Sequence, residues 1–232
     1  MDIPVCNYTR SETILKHTGY TVSYNVDWKL PNWVSYELTG IKTKGQSSRK
    51  NSFKIHPQLK GISATNEDYQ KSGYDKGHMA PAADMKWNST AMEESFYFSN
   101  ICPQHPELNR KGWKELEAKV RDWAVRDSAI IVVCGPVVRK EPDYIGKNRI
   151  TVPQAFFKVI LSPYVNTPRA IGFLFENTEA KKPLSNYAVP VDSVESITGM
   201  DFFGSLPDEI ENIVESVLDS CYWELCANKI ET

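Results

Sequence analysis

The sequence has no long apolar run. The longest, Ala129 to Cys134, falls far short of the roughly 20 residues that span a bilayer, so no membrane partner is expected. The first residues, Met1 to Asn7, lack the basic start and apolar stretch of a secretory leader. A soluble protein whose leader had been trimmed would be secreted or periplasmic, so the start leaves the compartment open. Cysteine is scarce, with five residues: Cys6, Cys102, Cys134, Cys221 and Cys226. The odd count and the spacing match neither a disulfide framework nor a zinc centre, which reads as buried free thiols. Cys102 and His105 stand at ligand-like spacing, but two residues make no zinc site. There is no internal repeat and no low-complexity linker.

What is present is ordinary in bulk and uneven in detail. With 232 residues, 41% hydrophobic and 24% charged, the chain can bury a sizeable core without staples. The net charge of −2 argues mildly against a polyanion ligand. Its distribution argues the other way. Residues 40–150 hold 19 Lys and Arg against 13 Asp and Glu, whereas residues 151–232 hold 5 against 12. A basic middle beside an acidic end points to a polyanion surface in the middle, or else to a solvated basic face.

The periodicities predict an α+β fold, a mixed or antiparallel sheet core flanked by helices. Residues 1–20 read as an irregular arm and 21–232 as one domain. Strands are expected at Trp33–Leu38, Phe96–Asn100, Ala129–Cys134, Ala155–Leu161 and Ala170–Phe175. Gly40 to Lys54 reads as a basic loop. Leu108, Trp113, Leu116, Val120 and Trp123 keep helical spacing, which predicts a helix from about Glu107 to Arg126, supported by i,i+4 pairs Glu115–Lys119 and Glu117–Arg121. Thr90 with Glu93 suggests a capping box. Asp192 and Glu195 suggest a helix start, with Gly199 closing that helix. Pro207 opens a last helix whose apolar face is Ile210, Ile213, Val214, Val217 and Leu218. Asn88-Ser89-Thr90 matches a glycosylation sequon, for which chance is the better account. The tryptophans could stack on bases, though Trp113 and Trp123 lie on the helix face that reads as buried.

Of four histidines, His78 is distinguished by its surroundings, Gly73-Tyr74-Asp75-Lys76-Gly77-His78-Met79-Ala80-Pro81. Glycine before it permits a tight turn that would present the ring outward. An imidazole, a cation and an acid within four positions can activate water and steady an anionic transition state. A second element runs from Ser99-Asn100-Ile101-Cys102-Pro103-Gln104 to Leu108-Asn109-Arg110-Lys111-Gly112-Trp113. Asn109 at the helix start is either a cap or a neutral oxygen ligand for a divalent ion. Glu117, eight residues on and about 80° round an ideal helix, either holds a metal-bound water or pairs with Arg121.

Taken together these stretches resemble the DNA/RNA non-specific endonuclease family, whose members include endonuclease G and secreted bacterial nucleases. The family's Asp-Arg-Gly-His is matched by Asp75-Lys76-Gly77-His78. Its Asn-x-x-Pro-Gln turn and its Leu-Asn-x-x-x-Trp helix with a following glutamate are matched by Asn100, Pro103, Gln104, Leu108, Asn109, Trp113 and Glu117. Further matches are Ala64–Tyr69, Cys134-Gly135-Pro136, Ile150–Pro153 and Ile197–Phe203, covering about residues 33–220. The resemblance implies a ββα-metal motif and sequence-nonspecific cleavage of DNA and RNA. It implies His78 as general base and Asn109 as the only direct protein ligand of Mg²⁺, for which Mn²⁺ or another divalent ion could substitute. Glu117 would act through the metal's water, Asn100 would support His78 or the phosphate, and Lys76 and Arg49 would contact phosphate. Lys76 departs from the family's arginine and cannot form a bidentate fork. The alternative is a nucleic-acid-binding protein with a nuclease fold and weakened activity. A third reading, a phosphodiesterase for small or lipid substrates, has no pocket signal behind it. The resemblance permits a homodimer and names no inhibitor.

Overall fold

Strands that are apolar on every residue must be covered on both faces, and the sheet meets that condition. A computed structural model, described over residues 3–226, places seven strands in one sheet. Their order is Ala188–Val189, Arg169–Glu176, Ala155–Ser162, Ala129–Val137, Leu30–Thr39, Thr21–Asn25 and Thr13–Lys16. Neighbours run antiparallel, with Val34 opposite Cys134 and Leu38 opposite Ile130 in the centre. Alternation sends Tyr36, Val132, Phe156 and Ile160 to one core. It sends Trp33, Val133, Phe157 and Val159 to the other. The fold is α+β, as the periodicities predict.

The first face carries the long helix Trp113–Arg126. Its stripe of Trp113, Leu116, Val120 and Trp123 is fully enclosed. Burying each such side chain is worth roughly 1.5–3 kcal/mol, so packing rather than propensity holds this helix. The other face is covered by helices Val191–Thr198 and Asp208–Ser216. Gly199, at φ 62°, ends the first of these in the left-handed conformation.

Several sequence expectations are corrected. Residues of the supposed arm are ordered into strands: Val5–Cys6 pairs with Met200–Asp201, and Thr13–Lys16 forms the edge of the main sheet. Phe96–Asn100 is not a strand. Phe98–Asn100 is a 3-10 turn, and the strand begins at Ile101. Asn88 caps helix Ser89–Glu94, its side-chain oxygen accepting from the N–H of Thr90 and Ala91, so Thr90 is not the cap. Pro190, not Asp192, precedes the Val191–Thr198 helix. The last helix buries Val214, but Ile213 and Val217 are 62% and 52% exposed, and Leu218 lies beyond its end. The expected i,i+4 pairs are replaced by tertiary ones, Lys119 with Glu224 and Arg121 with Asp84. Cys221 and Cys226 form a disulfide, whereas Cys6, Cys102 and Cys134 are free.

Candidate active site

Lys76 and His78 sit two apart on the strand Asp75–His78, so they share a face. That strand pairs antiparallel with Ile101–Gln104, Asp75 opposite Gln104 and His78 opposite Ile101. With helix Trp113–Arg126 following, the pair completes a ββα unit. Gly77 lies inside the strand rather than in a tight turn. It is needed because a Cβ there would come within 2.3 Å of Gln104 Oε1. The ring of His78 is therefore not presented outward; the residue is only 9% exposed. Phe53 and Phe96 border it at 5.5 and 5.0 Å between ring centroids. Burial, with the Arg49 charge adding to it, lowers the His78 pKa to about 3. The imidazole is therefore neutral near pH 7, the form a base requires. Its Nε2 is sealed from solvent and has no hydrogen-bond partner.

Asn109 enters from the helix start, where the chain makes a wide π turn, Leu108–Gly112, before the α-helix. A π turn absorbs one extra residue. The eight-residue step to Glu117 then behaves as about seven, closing the expected offset from about 80° to roughly 20°. Asn109 and Glu117 accordingly line one cleft. The sequence expectation of a regular helix from Glu107 missed this turn. Asn109 Nδ2 donates to Asp75 Oδ2 at 2.9 Å. Arg110 makes a two-pronged pair with the same carboxylate at 2.7 and 2.8 Å. Burial raises the Asp75 pKa, but these donors outweigh it and hold the acid below its usual range.

The cleft, of about 360 Å³, is bordered by Arg49, Lys76, His78, Asn109, Glu117 and Arg121, with Phe53, Arg110 and Lys114 beside them. Every expected site residue except Asn100 is brought to it. Asn100 is fully enclosed. Its amide oxygen accepts from Ala80 N at 2.8 Å, and its Nδ2 donates to the carbonyls of Ala80 and Ser95, each at 2.9 Å. It clamps the chain just after His78 and does not border the cleft, which suits the expected support of His78 more than contact with phosphate.

Five cations border the cleft, and besides Arg110 and Lys114 three stand in different settings. Lys76 Nζ donates to Asn66 Oδ1 at 2.6 Å and stands 4.5 Å from the centroid of the Phe53 ring. Arg49 is exposed, hydrogen-bonded to Asn51 and 5.5 Å from the Phe96 centroid. Arg121 pairs with the enclosed Asp84 at 2.9 Å, and Tyr36 donates to the same carboxylate at 3.0 Å. Sequence reasoning missed Arg121 by assigning it to Glu117. Its i,i+4 spacing from Glu117 was the available signal, because it places both on one helix face. Burial pushes Glu117 up to about 7; Asp84 adds to this, while Lys158, Arg121 and Arg49 oppose it.

The donor set suits a hard divalent cation. Asn109 Oδ1 is left available by the hydrogen bond its nitrogen makes, and Glu117 offers a carboxylate that Arg121 does not occupy. Both are oxygen donors, the kind Mg²⁺ takes sparingly while keeping water and substrate oxygens.

Comparison with known proteins identifies the family. A family model described as DNA/RNA non-specific endonuclease matches residues 1–209. The mitochondrial nuclease EXOG of Xenopus laevis is 36% identical over 82% of this chain and 58% of its own length. Nuclease C1 of Cunninghamella echinulata var. echinulata is 34% identical over 92% of this chain and 89% of its own. Human mitochondrial endonuclease G is 31% identical, with 79% and 67% covered. The chain thus spans about three-fifths of the length of the EXOG relatives it matches. Among solved structures, a complex of EndoG with EndoGI superposes with a TM-score of 0.78 at 29% identity, covering 88% of this chain and 90% of that one. This protein belongs to the DNA/RNA non-specific endonuclease family.

Proposed function

We propose that the chain is a divalent-metal-dependent endonuclease that hydrolyses phosphodiester bonds in DNA and RNA without strong sequence preference. The observation that carries this reading is one cleft joining a neutral imidazole, two oxygen donors and five cations. His78 takes a proton from the attacking water. Because Nε2 is enclosed, Nδ1 is the nitrogen assigned to that water. The water oxygen bonds to phosphorus, the bond from phosphorus to the 3′-oxygen breaks, and the departing oxygen takes a proton from solvent. Lys76, Arg49 and Arg121 offset the charge that builds on the phosphate oxygens. Asn109 would hold the cation directly and Glu117 through water. A Mg²⁺ ion bound there supplies positive charge for the leaving oxygen. The groups around the cleft address phosphate, which carries no sequence information.

Asn109 is oriented by Asp75, and Asp75 by Arg110, so the oxygen donor is set before substrate arrives. The resemblance to a chain solved with EndoGI motivates including an inhibitor protein in the partner class. The experiment is cleavage of supercoiled plasmid and of single-stranded RNA with Mg²⁺ and with excess chelator. Both substrates are expected to be cut with the metal and neither without it. Tight binding to both with no cutting at any Mg²⁺ concentration would instead establish a nucleic-acid-binding protein.

A further inference from the structure

On the sheet face opposite the long helix, three carboxylates converge. Asp192 and Glu195 come from successive turns of helix Val191–Thr198, and Glu215 comes from the last turn of helix Asp208–Ser216. One oxygen of each lies within 4.8 Å of the others. None of the three borders the catalytic cleft. Their burial is graded: Asp192 is exposed, Glu195 half-buried and Glu215 only 5% exposed. The cluster is therefore a cup, closed at Glu215 and open at Asp192.

A second observation separates this cup from an ordinary acidic surface. Glu215 Oε1 is enclosed and has no hydrogen-bond partner. An enclosed carboxylate oxygen without a donor is costly, and a surface acid avoids that cost by turning to water. Glu215 is instead held 5% exposed, with its carboxylate beside those of Asp192 and Glu195 on the neighbouring helix. The charged groups acting most strongly on it are Glu195, Glu211, Asp192 and Asp201, all carboxylates. For Glu195 they are Asp201, Asp192 and Glu211. Glu195 Oε1 also accepts from Phe202 N at 2.8 Å, which fixes its direction. A proton on Glu215, which burial and these acids favour, would relieve its repulsion from both Asp192 and Glu195 and leave only the contact between those two. A cation would relieve all three at once.

We propose that Asp192, Glu195 and Glu215 form a second divalent-cation site, separate from the active site and selective for Ca²⁺. The donors are all oxygen, and the open Asp192 side leaves room for the water ligands of a 6–8-coordinate ion. The bound ion ties the two C-terminal helices together across the sheet face that Phe157 and Phe202 fill. It gives part of the acidic C-terminal region, 12 acids against 5 bases over residues 151–232, a structural task apart from substrate.

The test is calorimetric titration of the full chain with CaCl₂, paired with thermal unfolding. Asn109→Ala serves as the background, so that Ca²⁺ in the catalytic cleft does not contribute. On that background one Ca²⁺ per chain is expected, with Tm rising by roughly 5 °C or more at a hundredfold excess over Kd. Adding Asp192→Asn, an exposed substitution that leaves packing alone, should weaken binding at least tenfold. Adding Glu215→Gln should abolish both the heat and the Tm shift. In the otherwise unaltered chain, neither of these two substitutions should change the plasmid cleavage rate at saturating Mg²⁺. Absence of Ca²⁺ binding on the Asn109→Ala background would overturn the proposal. So would binding that both added substitutions leave unchanged, which would place the ion elsewhere.

Discussion

Asn109 and Asp75 are joined by a 2.9 Å hydrogen bond from the amide nitrogen to the carboxylate, across 34 residues of chain. That bond decides which end of the amide is free. An Asn with its nitrogen engaged presents its oxygen, and oxygen is what a hard cation takes.

Asp75→Ala should therefore act through the metal. Removing a partner that orients a ligand commonly costs 10–100-fold in metal affinity or activity. The Mg²⁺ concentration for half-maximal cleavage is expected to rise about tenfold or more, with the rate at saturating Mg²⁺ reduced less. An unchanged Mg²⁺ titration would show that Asn109 needs no such support.

Lys76 tests charge against geometry. Its ammonium is held between Asn66 and the Phe53 ring at the cleft edge. Lys76→Arg keeps the charge and adds a planar fork, so cleavage should persist or improve. Lys76→Ala removes the charge, and losing one such contact in the transition state costs roughly 2–4 kcal/mol. Kinetics of the three proteins on one plasmid compare them directly. Equal rates for Lys76→Ala and the parent chain would remove Lys76 from the reaction.

The ring of His78 should stay neutral through the usual histidine range. The unfolded chain takes this proton near pH 6.5, and the folded one not until about 3. The sign follows: the stability contribution is fully present above about 6.5 and is lost as pH falls toward 3. An NMR titration of the metal-free protein should show no His78 inflection between pH 8 and 5. The acid limb of kcat/KM should likewise fall below 6.5. An inflection at 6.5 would mean that the ring is solvated rather than enclosed.

Asn100→Ala should unfold the protein more easily before it alters chemistry. It orphans the N–H and carbonyl of Ala80 and the carbonyl of Ser95, all enclosed. A loss of roughly 2–4 kcal/mol in urea unfolding is expected. A variant of parental stability with abolished cleavage would return Asn100 to the reacting groups.

The parts legible in sequence were those with a local period or a matched spacing. Apolar strands such as Ala129–Cys134 and the stripe from Trp113 to Trp123 follow from elementary patterning, and His78, Lys76, Arg49, Asn109 and Glu117 do share one cleft. The misreadings have long-range causes. Thr13–Lys16 is too short and mixed to announce a strand, and it is one because Thr21–Asn25 offers an edge. Phe96–Asn100 looked like a strand by its aromatics, but Asn100 ties that stretch to Ala80 and Ser95. The π turn at Leu108–Gly112 leaves no periodic trace, yet it aligns Asn109 with Glu117. The partner of Arg121 lies 37 residues away at Asp84, where helix spacing cannot point.

In the proposed mechanism His78 is the base. Plasmid cleavage by His78→Ala at saturating Mg²⁺, with circular dichroism and Tm as controls for folding, tests it most directly. A general base contributes about 10²–10⁴-fold, so the folded variant is expected to lose at least a hundredfold in rate. A folded His78→Ala that nicks the plasmid at nearly the parental rate near pH 7 would contradict the account.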